Sequence, residues 1–157
     1  MTETESLKLI KEHCVRLLSR REHSQQELLD KLTAKGFEQF DLQKVIDQLA
    51  QQGWQSDHRF TESYCRYRIR KGFGPIKIGY ELQHRGIYGF DIDPAALDLA
   101  DSWIEILEQV YQKKFDDNIS ITKNEWLKRC RFLQQRGFNI GMIQTLFRQL
   151  DIQIVYR

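Results

Sequence analysis

Leu82-Gln83-His84-Arg85-Gly86-Ile87 is the middle of three copies of one pattern. Leu32-Thr33-Ala34-Lys35-Gly36-Phe37 precedes it and Leu133-Gln134-Gln135-Arg136-Gly137-Phe138 follows it, with the glycines 50 and 51 residues apart. A leucine, two variable residues, a cation, a glycine and a large apolar residue describe a helix C-terminus. The cation lies near the negative end of the helix dipole, the glycine takes the left-handed conformation, and the apolar residue folds back onto the last turn. One such ending is an ordinary helix stop, whereas three at near-constant spacing imply tandem modules.

Around the first copy, Ser24-Gln25-Gln26-Glu27 is a capping box that opens a short helix bearing Leu28, Leu29 and Leu32. Before it, Leu7, Ile10, Cys14, Leu17 and Leu18 form an amphipathic stripe from about Ser6. Residues 1–5 read as a flexible arm. After it, Leu42, Val45, Ile46 and Leu49 predict a third helix, stopped by Gly53.

Around the second copy, Asp57 opens a helix with Phe60, Tyr64 and Tyr67 on one side, read as core. Arg59, Arg66 and Arg70 fall on the other side, within roughly 40° of one another by the helical period. Gly72-Phe73-Gly74-Pro75 turns the chain into a helix presenting Ile78 and Leu82. Asp93-Pro94 begins a helical stretch to about Lys114, broken near Asp101. Thr122-Lys123-Asn124-Glu125 is a second capping-box pattern, followed by Trp126, Leu127, Cys130 and Leu133. A last helix from about Ile140 carries Ile143, Leu146, Phe147 and Leu150. Ile152, Ile154 and Val155 alternate for too few residues to predict a strand. The expected fold is all-α: an arm over residues 1–5, then three-helix repeats over residues 6–56, 57–100 and 101–157.

The chain of 157 residues is 41% hydrophobic, enough for a core, and its formal charge is only +2. Bulk charge therefore does not drive nucleic-acid binding. Locally the balance differs. Residues 58–85 hold seven cations against Glu62 and Glu81, and residues 91–117 hold eight carboxylates against Lys113 and Lys114. Opposed fields on neighbouring segments suggest a defined orientation toward a charged partner. Cys14, Cys65 and Cys130 are odd in number and far apart, which fits free thiols in a reducing compartment. With no signal-like opening and no long apolar run, the expected location is cytoplasmic, with no membrane association.

No phosphate-binding loop, GxGxxG, HExxH or Cys/His pair at ligand spacing occurs, so no enzyme, cofactor or metal is expected. His13, His23, His58 and His84 are scattered among charged neighbours and read as solvated surface. Asp91 and Asp93 are explained by a turn and a cap. Arg66, Arg68, Arg70 and Lys71 occur without an intervening carboxylate, unlike an ordinary solvated face, and suit phosphate or an acidic protein. Nothing marks a recognition helix with base-reading side chains.

Several of these stretches together resemble the RecX family of bacterial recombinase regulators: Leu18-Ser19-Arg20-Arg21-Glu22-His23-Ser24-Gln25-Gln26-Glu27-Leu28, Lys35-Gly36-Phe37, Asp57-His58-Arg59-Phe60, Arg68, Gly72-Phe73-Gly74-Pro75 and Glu81-Leu82-Gln83-His84-Arg85-Gly86-Ile87. The third module matches more weakly and lacks the Gly-Pro turn. The resemblance implies three tandem three-helix repeats in an elongated, curved molecule. It implies binding in the groove of the RecA filament on DNA, with inhibition of ATP hydrolysis, strand exchange and coprotease activity and limits on filament extension. Single- and double-stranded DNA are expected as weak partners on their own. By charge, Arg59, Arg66, Arg68, Arg70, Lys71, Lys77 and Arg85 are the expected filament- or DNA-binding residues. The alternative is a general DNA-binding helical module that acts by occupying DNA.

Overall fold

The computed structural model describes residues 2–156, and among these the fold is helical throughout apart from one two-residue ladder. The described residues form nine helices: α1 (Glu3–Arg20), α2 (Gln25–Thr33), α3 (Gln39–Gln51), α4 (Asp57–Arg70), α5 (Pro75–His84), α6 (Asp93–Leu97), α7 (Trp103–Lys114), α8 (Lys123–Gln135) and α9 (Ile140–Gln149). The ladder is parallel and pairs β1 (Ser120–Ile121) with β2 (Gln153–Ile154), so the alternating C-terminal residues do form a strand, though a minimal one.

The chain divides into two compact units, residues 1–64 with 82–89, and residues 65–81 with 90–157. The division passes through α4 and α5.

In the first unit, α1, α2 and α3 pack on one another around Ile10, Cys14, Leu28, Leu32, Leu42, Val45, Ile46 and Leu49. Removing such a side chain from water is worth about 1.5–3 kcal/mol, and the stripes at three- and four-residue spacing supply several per helix. The expected arm is in fact helical. Thr2 Oγ1 accepts from the Glu5 amide and Glu5 returns a bond to the Thr2 amide, so a capping box starts α1 at Glu3 and only Met1 lies outside the described residues.

In the second unit, α7 packs on α9 and α6, and α8 on α9, around Ile106, Leu107, Tyr111, Leu133, Phe138, Ile143, Leu146 and Phe147. Trp126 meets Phe147 edge-on at 4.6 Å, and Tyr111 meets it at 5.6 Å. The expected break near Asp101 is the gap between α6 and α7, where Ser102 caps α7 through the Glu105 amide.

The repeated ending has the same hydrogen bonds in every copy. Phe37, Ile87 and Phe138 amides donate to Leu32, Leu82 and Leu133 carbonyls at 3.4, 2.9 and 3.2 Å. Gly36, Gly86 and Gly137 stand at φ of 95°, 79° and 101°. This is the Schellman arrangement. Asp151 closes α9 in the same way at φ 56°, with the Ile152 amide on the Phe147 carbonyl at 2.9 Å.

One expectation about α4 is corrected. Its buried residues are Phe60, Thr61, Cys65 and Ile69, while Tyr64 is half-buried and Tyr67 is 55% exposed. The apolar face is set by the smaller side chains at four-residue spacing rather than by the tyrosines.

Candidate functional site

Four of the seven cations singled out from the sequence are tied to carboxylates distant in the chain. In the first unit, Arg59 Nε lies 3.1 Å from Glu22 Oε1, and its Nη2 donates to the Gly53 and Trp54 carbonyls at 2.8 and 3.2 Å. Arg85 lies 3.7 Å from Glu27 and stacks over Tyr64 at 4.7 Å. In the second unit, Arg66 reaches Asp98 at 2.8 Å. Arg68 donates twice to Glu81, at 2.9 and 2.8 Å. Arg66 and Asp98 come from the two oppositely charged segments, so those fields meet and partly cancel there.

Arg70, Lys71 and Lys77 are different, because none has a carboxylate within ion-pairing distance among the described residues. Aromatic faces hold two of them. Lys71 Nζ lies 5.7 Å from the Tyr67 ring and Lys77 Nζ 5.1 Å from Phe73. Phe73 also carries Arg68 at 3.8 Å and Arg136 at 4.8 Å. Ring faces attract cations through their quadrupole without neutralising them, so three positive charges share one aromatic seat.

Two glycines allow this gathering. The Gly74 amide donates to the Arg136 carbonyl at 2.7 Å, and the Ile76 amide to the Gly137 carbonyl at 3.0 Å. A Cβ on Gly74 would stand 2.6 Å from the Gly137 oxygen, and one on Gly137 only 2.5 Å from Lys77 Cβ. The turn before α5 therefore docks on the end of α8. Arg136 donates onward to the Lys71 carbonyl at 3.1 Å, at the end of α4. Arg136 is a site residue the charge run did not disclose, although it is the cation of the third repeated ending.

The motif at the start of α2 is structural. Glu27 accepts from Arg21 at 3.1 and 3.0 Å and from the Ser24 amide. Burial alone would raise its carboxyl, but Arg21 and the amide hold it below the usual carboxylate range. Asp57 Oδ1 accepts from the Gln25 amide and from Gln55. His23 is buried rather than solvated, a correction to the surface reading. Its Nδ1 donates to the Arg21 carbonyl and its Nε2 accepts from Lys31, both at 3.0 Å. Burial and then the neighbouring cations push its pKa down. In the second unit, Arg129 is buried on Glu125, Tyr111 and Asp116. Glu125 is thus drawn away from the second capping box, where only the Thr122 side chain caps. Cys14, Cys65 and Cys130 are free and buried, and burial pushes Cys14 to about 11 and Cys65 to about 12. Among the described residues no group of three His, Cys, Asp or Glu side chains is placed to hold a metal, and no helix is long and apolar enough to cross a membrane.

Models of the first, second and third three-helix domains of RecX match residues 11–49, 56–95 and 101–147. A regulatory protein RecX from Legionella pneumophila (strain Corby) is 39% identical over 136 residues, which is 87% of this chain and 91% of the relative. One from Pseudomonas fluorescens (strain SBW25) is 36% identical over 148 residues, 94% and 96% of the two chains. A crystal structure of RecX from Lactobacillus salivarius matches with a TM-score of 0.69 at 20% identity, covering 96% of this chain and 99% of that one. A second crystal structure of regulatory protein RecX matches with a TM-score of 0.73 at 18% identity, covering 92% and 72%. At such identities the structural matches speak for the fold.

Proposed function

Because the chain belongs to the RecX family, we propose that it is a non-enzymatic regulator that binds the RecA filament on DNA. In this reading it works in the cytoplasm, inhibits ATP hydrolysis, strand exchange and coprotease activity, and limits filament extension in recombination and the SOS response. The observation that carries the choice of surface is the group Arg70, Lys71, Lys77 and Arg136. Each lacks a carboxylate partner among the described residues, and aromatic rings seat Lys71, Lys77 and Arg136. Such cations keep their charge for a phosphate or an acidic partner. Arg59, Arg66, Arg68 and Arg85 serve the fold first, since their charges are met within the chain.

The same unpaired cations support a second reading, a helical module acting through DNA alone. Co-sedimentation with RecA–DNA filaments and with bare DNA over a salt series separates the two. A contact neutralising six to ten phosphates loses about 10³ to 10⁵ in affinity between about 50 and 200 mM salt. Filament binding that persists at salt concentrations where bare-DNA binding is lost supports the filament reading, and parallel loss of both supports DNA occupancy.

A further inference from the structure

Ile69, Leu99, Ile106, Val110 and Phe132 floor a half-open groove of about 340 Å³, and Arg70, Lys71, Lys113, Lys114 and Arg136 line it. Gln109 and Gly72 complete the lining, and no carboxylate enters it. None of the five cations is ion-paired among the described residues. Phe132 holds two of them in place, with Lys114 at 5.2 Å and Arg136 at 5.1 Å from the ring. Lys113 and Lys114 come from the segment that is otherwise acidic, so the sequence gives no hint that they join Arg70 and Lys71.

Helix polarity accounts for part of this. The cations stand at the ends of α4, α7 and α8, where a positive charge complements the dipole. Each helix end carries about half a negative charge. Three ends therefore offset about 1.5 of the five positive charges, leaving an excess of about 3.5. A phosphoryl group carries about 1.5–2 negative charges, so about two such groups balance the excess. The volume is at the lower end of the roughly 300–1,000 Å³ typical of small-molecule sites, too short for a strand spanning several nucleotides. The apolar part of the lining lies beside the charges.

We propose that this groove binds a nucleoside polyphosphate, with Arg70, Lys71, Lys113, Lys114 and Arg136 on the phosphates and Leu99, Ile106 and Val110 beneath the nucleoside. Arg70, Lys71 and Arg136 are shared with the proposed filament-binding group, whereas Lys113 and Lys114 belong to the groove alone, so variants at those two lysines test the groove separately.

The test is calorimetric titration of the full chain, without RecA, using ATP, inorganic tripolyphosphate, adenosine and a short oligothymidylate. ATP should bind saturably, tripolyphosphate more weakly, and adenosine not at all. Lys113→Gln with Lys114→Gln should weaken ATP at least tenfold, as should Gln109→Glu, which changes charge without changing shape. Lys8→Gln with Lys11→Gln, on α1, should leave ATP binding unchanged. Circular dichroism and melting confirm that each variant is folded. Absence of saturable ATP binding, equal binding by the groove variants, or binding of oligothymidylate but not ATP overturns the proposal. Co-sedimentation of the same variants with RecA filaments is a separate readout, so loss of ATP binding with filament binding intact supports the groove without touching the regulatory reading.

Discussion

Arg68 and Glu81 form a two-pronged ion pair, Nε to Oε1 at 2.9 Å and Nη2 to Oε2 at 2.8 Å, and both side chains are about four-fifths buried (20% and 18% exposed). Hydrogen bonds to charged groups contribute roughly 1.5–3 kcal/mol, and this geometry is the strong, forked kind. Arg68 also stacks on Phe73. Arg68→Ala should therefore lower stability by about 2 kcal/mol or more in denaturant unfolding, because it removes both prongs of the buried pair and the contact with Phe73 together. Lys71→Ala, with no such partner, should fall within about 0.5 kcal/mol of wild type.

The three repeated glycines should differ in tolerance although their backbones match. All are left-handed, which alone costs an L-residue about 1–2 kcal/mol. A Cβ at Gly36 meets nothing within 4 Å, one at Gly86 lies 2.8 Å from Gln26 Cβ, and one at Gly137 lies 2.5 Å from Lys77 Cβ and 2.6 Å from its backbone nitrogen. Alanine substitutions should lower the melting temperature in the order Gly36, Gly86, Gly137. Gly137→Ala should also loosen the docking that seats Arg136. Equal losses at the three positions would mean that only the backbone angle matters.

Acid should weaken the fold first through His23. Its folded pKa is depressed by burial, so below the ordinary value of about 6.5 the unfolded chain binds a proton that the native state refuses. Stability is therefore fully present above about pH 6.5 and is lost as pH falls from there toward the folded pKa. Glu27, also depressed, adds a separate loss below the ordinary carboxylate range. Melting temperatures from about pH 8 to about pH 5 should fall for wild type and stay flatter for His23→Gln, whose uncharged amide does not titrate. Identical profiles would remove His23 as the cause.

Much of the fold is legible in the sequence because glycine at a helix end has one strong physical reading. The endings at Gly36, Gly86 and Gly137 could be placed, whereas Asp151 takes the same conformation without announcing it. The helical start at Thr2 was equally readable as a Thr-x-x-Glu box, but its short polar stretch suggested an arm. Charge runs were less informative, since a carboxylate need not be near in sequence to neutralise an arginine. Glu81 is 13 residues from Arg68, Asp98 is 32 from Arg66 and Glu22 is 37 from Arg59. Lys113 and Lys114 were hidden for the converse reason, because acidic neighbours in the chain are not neighbours on the surface.

In the proposed reading, cations left without a carboxylate partner by the fold carry the binding that restrains RecA. The direct measurement is RecA ATPase activity on single-stranded DNA, titrated with wild type and with Arg70→Glu, Lys71→Glu. Both positions are exposed and neither is ion-paired among the described residues, so the variant should stay folded, its melting temperature lowered only by the negative charge placed at the end of α4. Partly desolvated charge contacts are worth about 2 kcal/mol or more, and about 1.4 kcal/mol is a factor of ten. Wild type should inhibit reversibly, and the folded variant should need at least tenfold more protein for the same inhibition. Coincident inhibition curves from two folded proteins, or no inhibition by wild type, would mean that these cations do not carry the regulation of RecA.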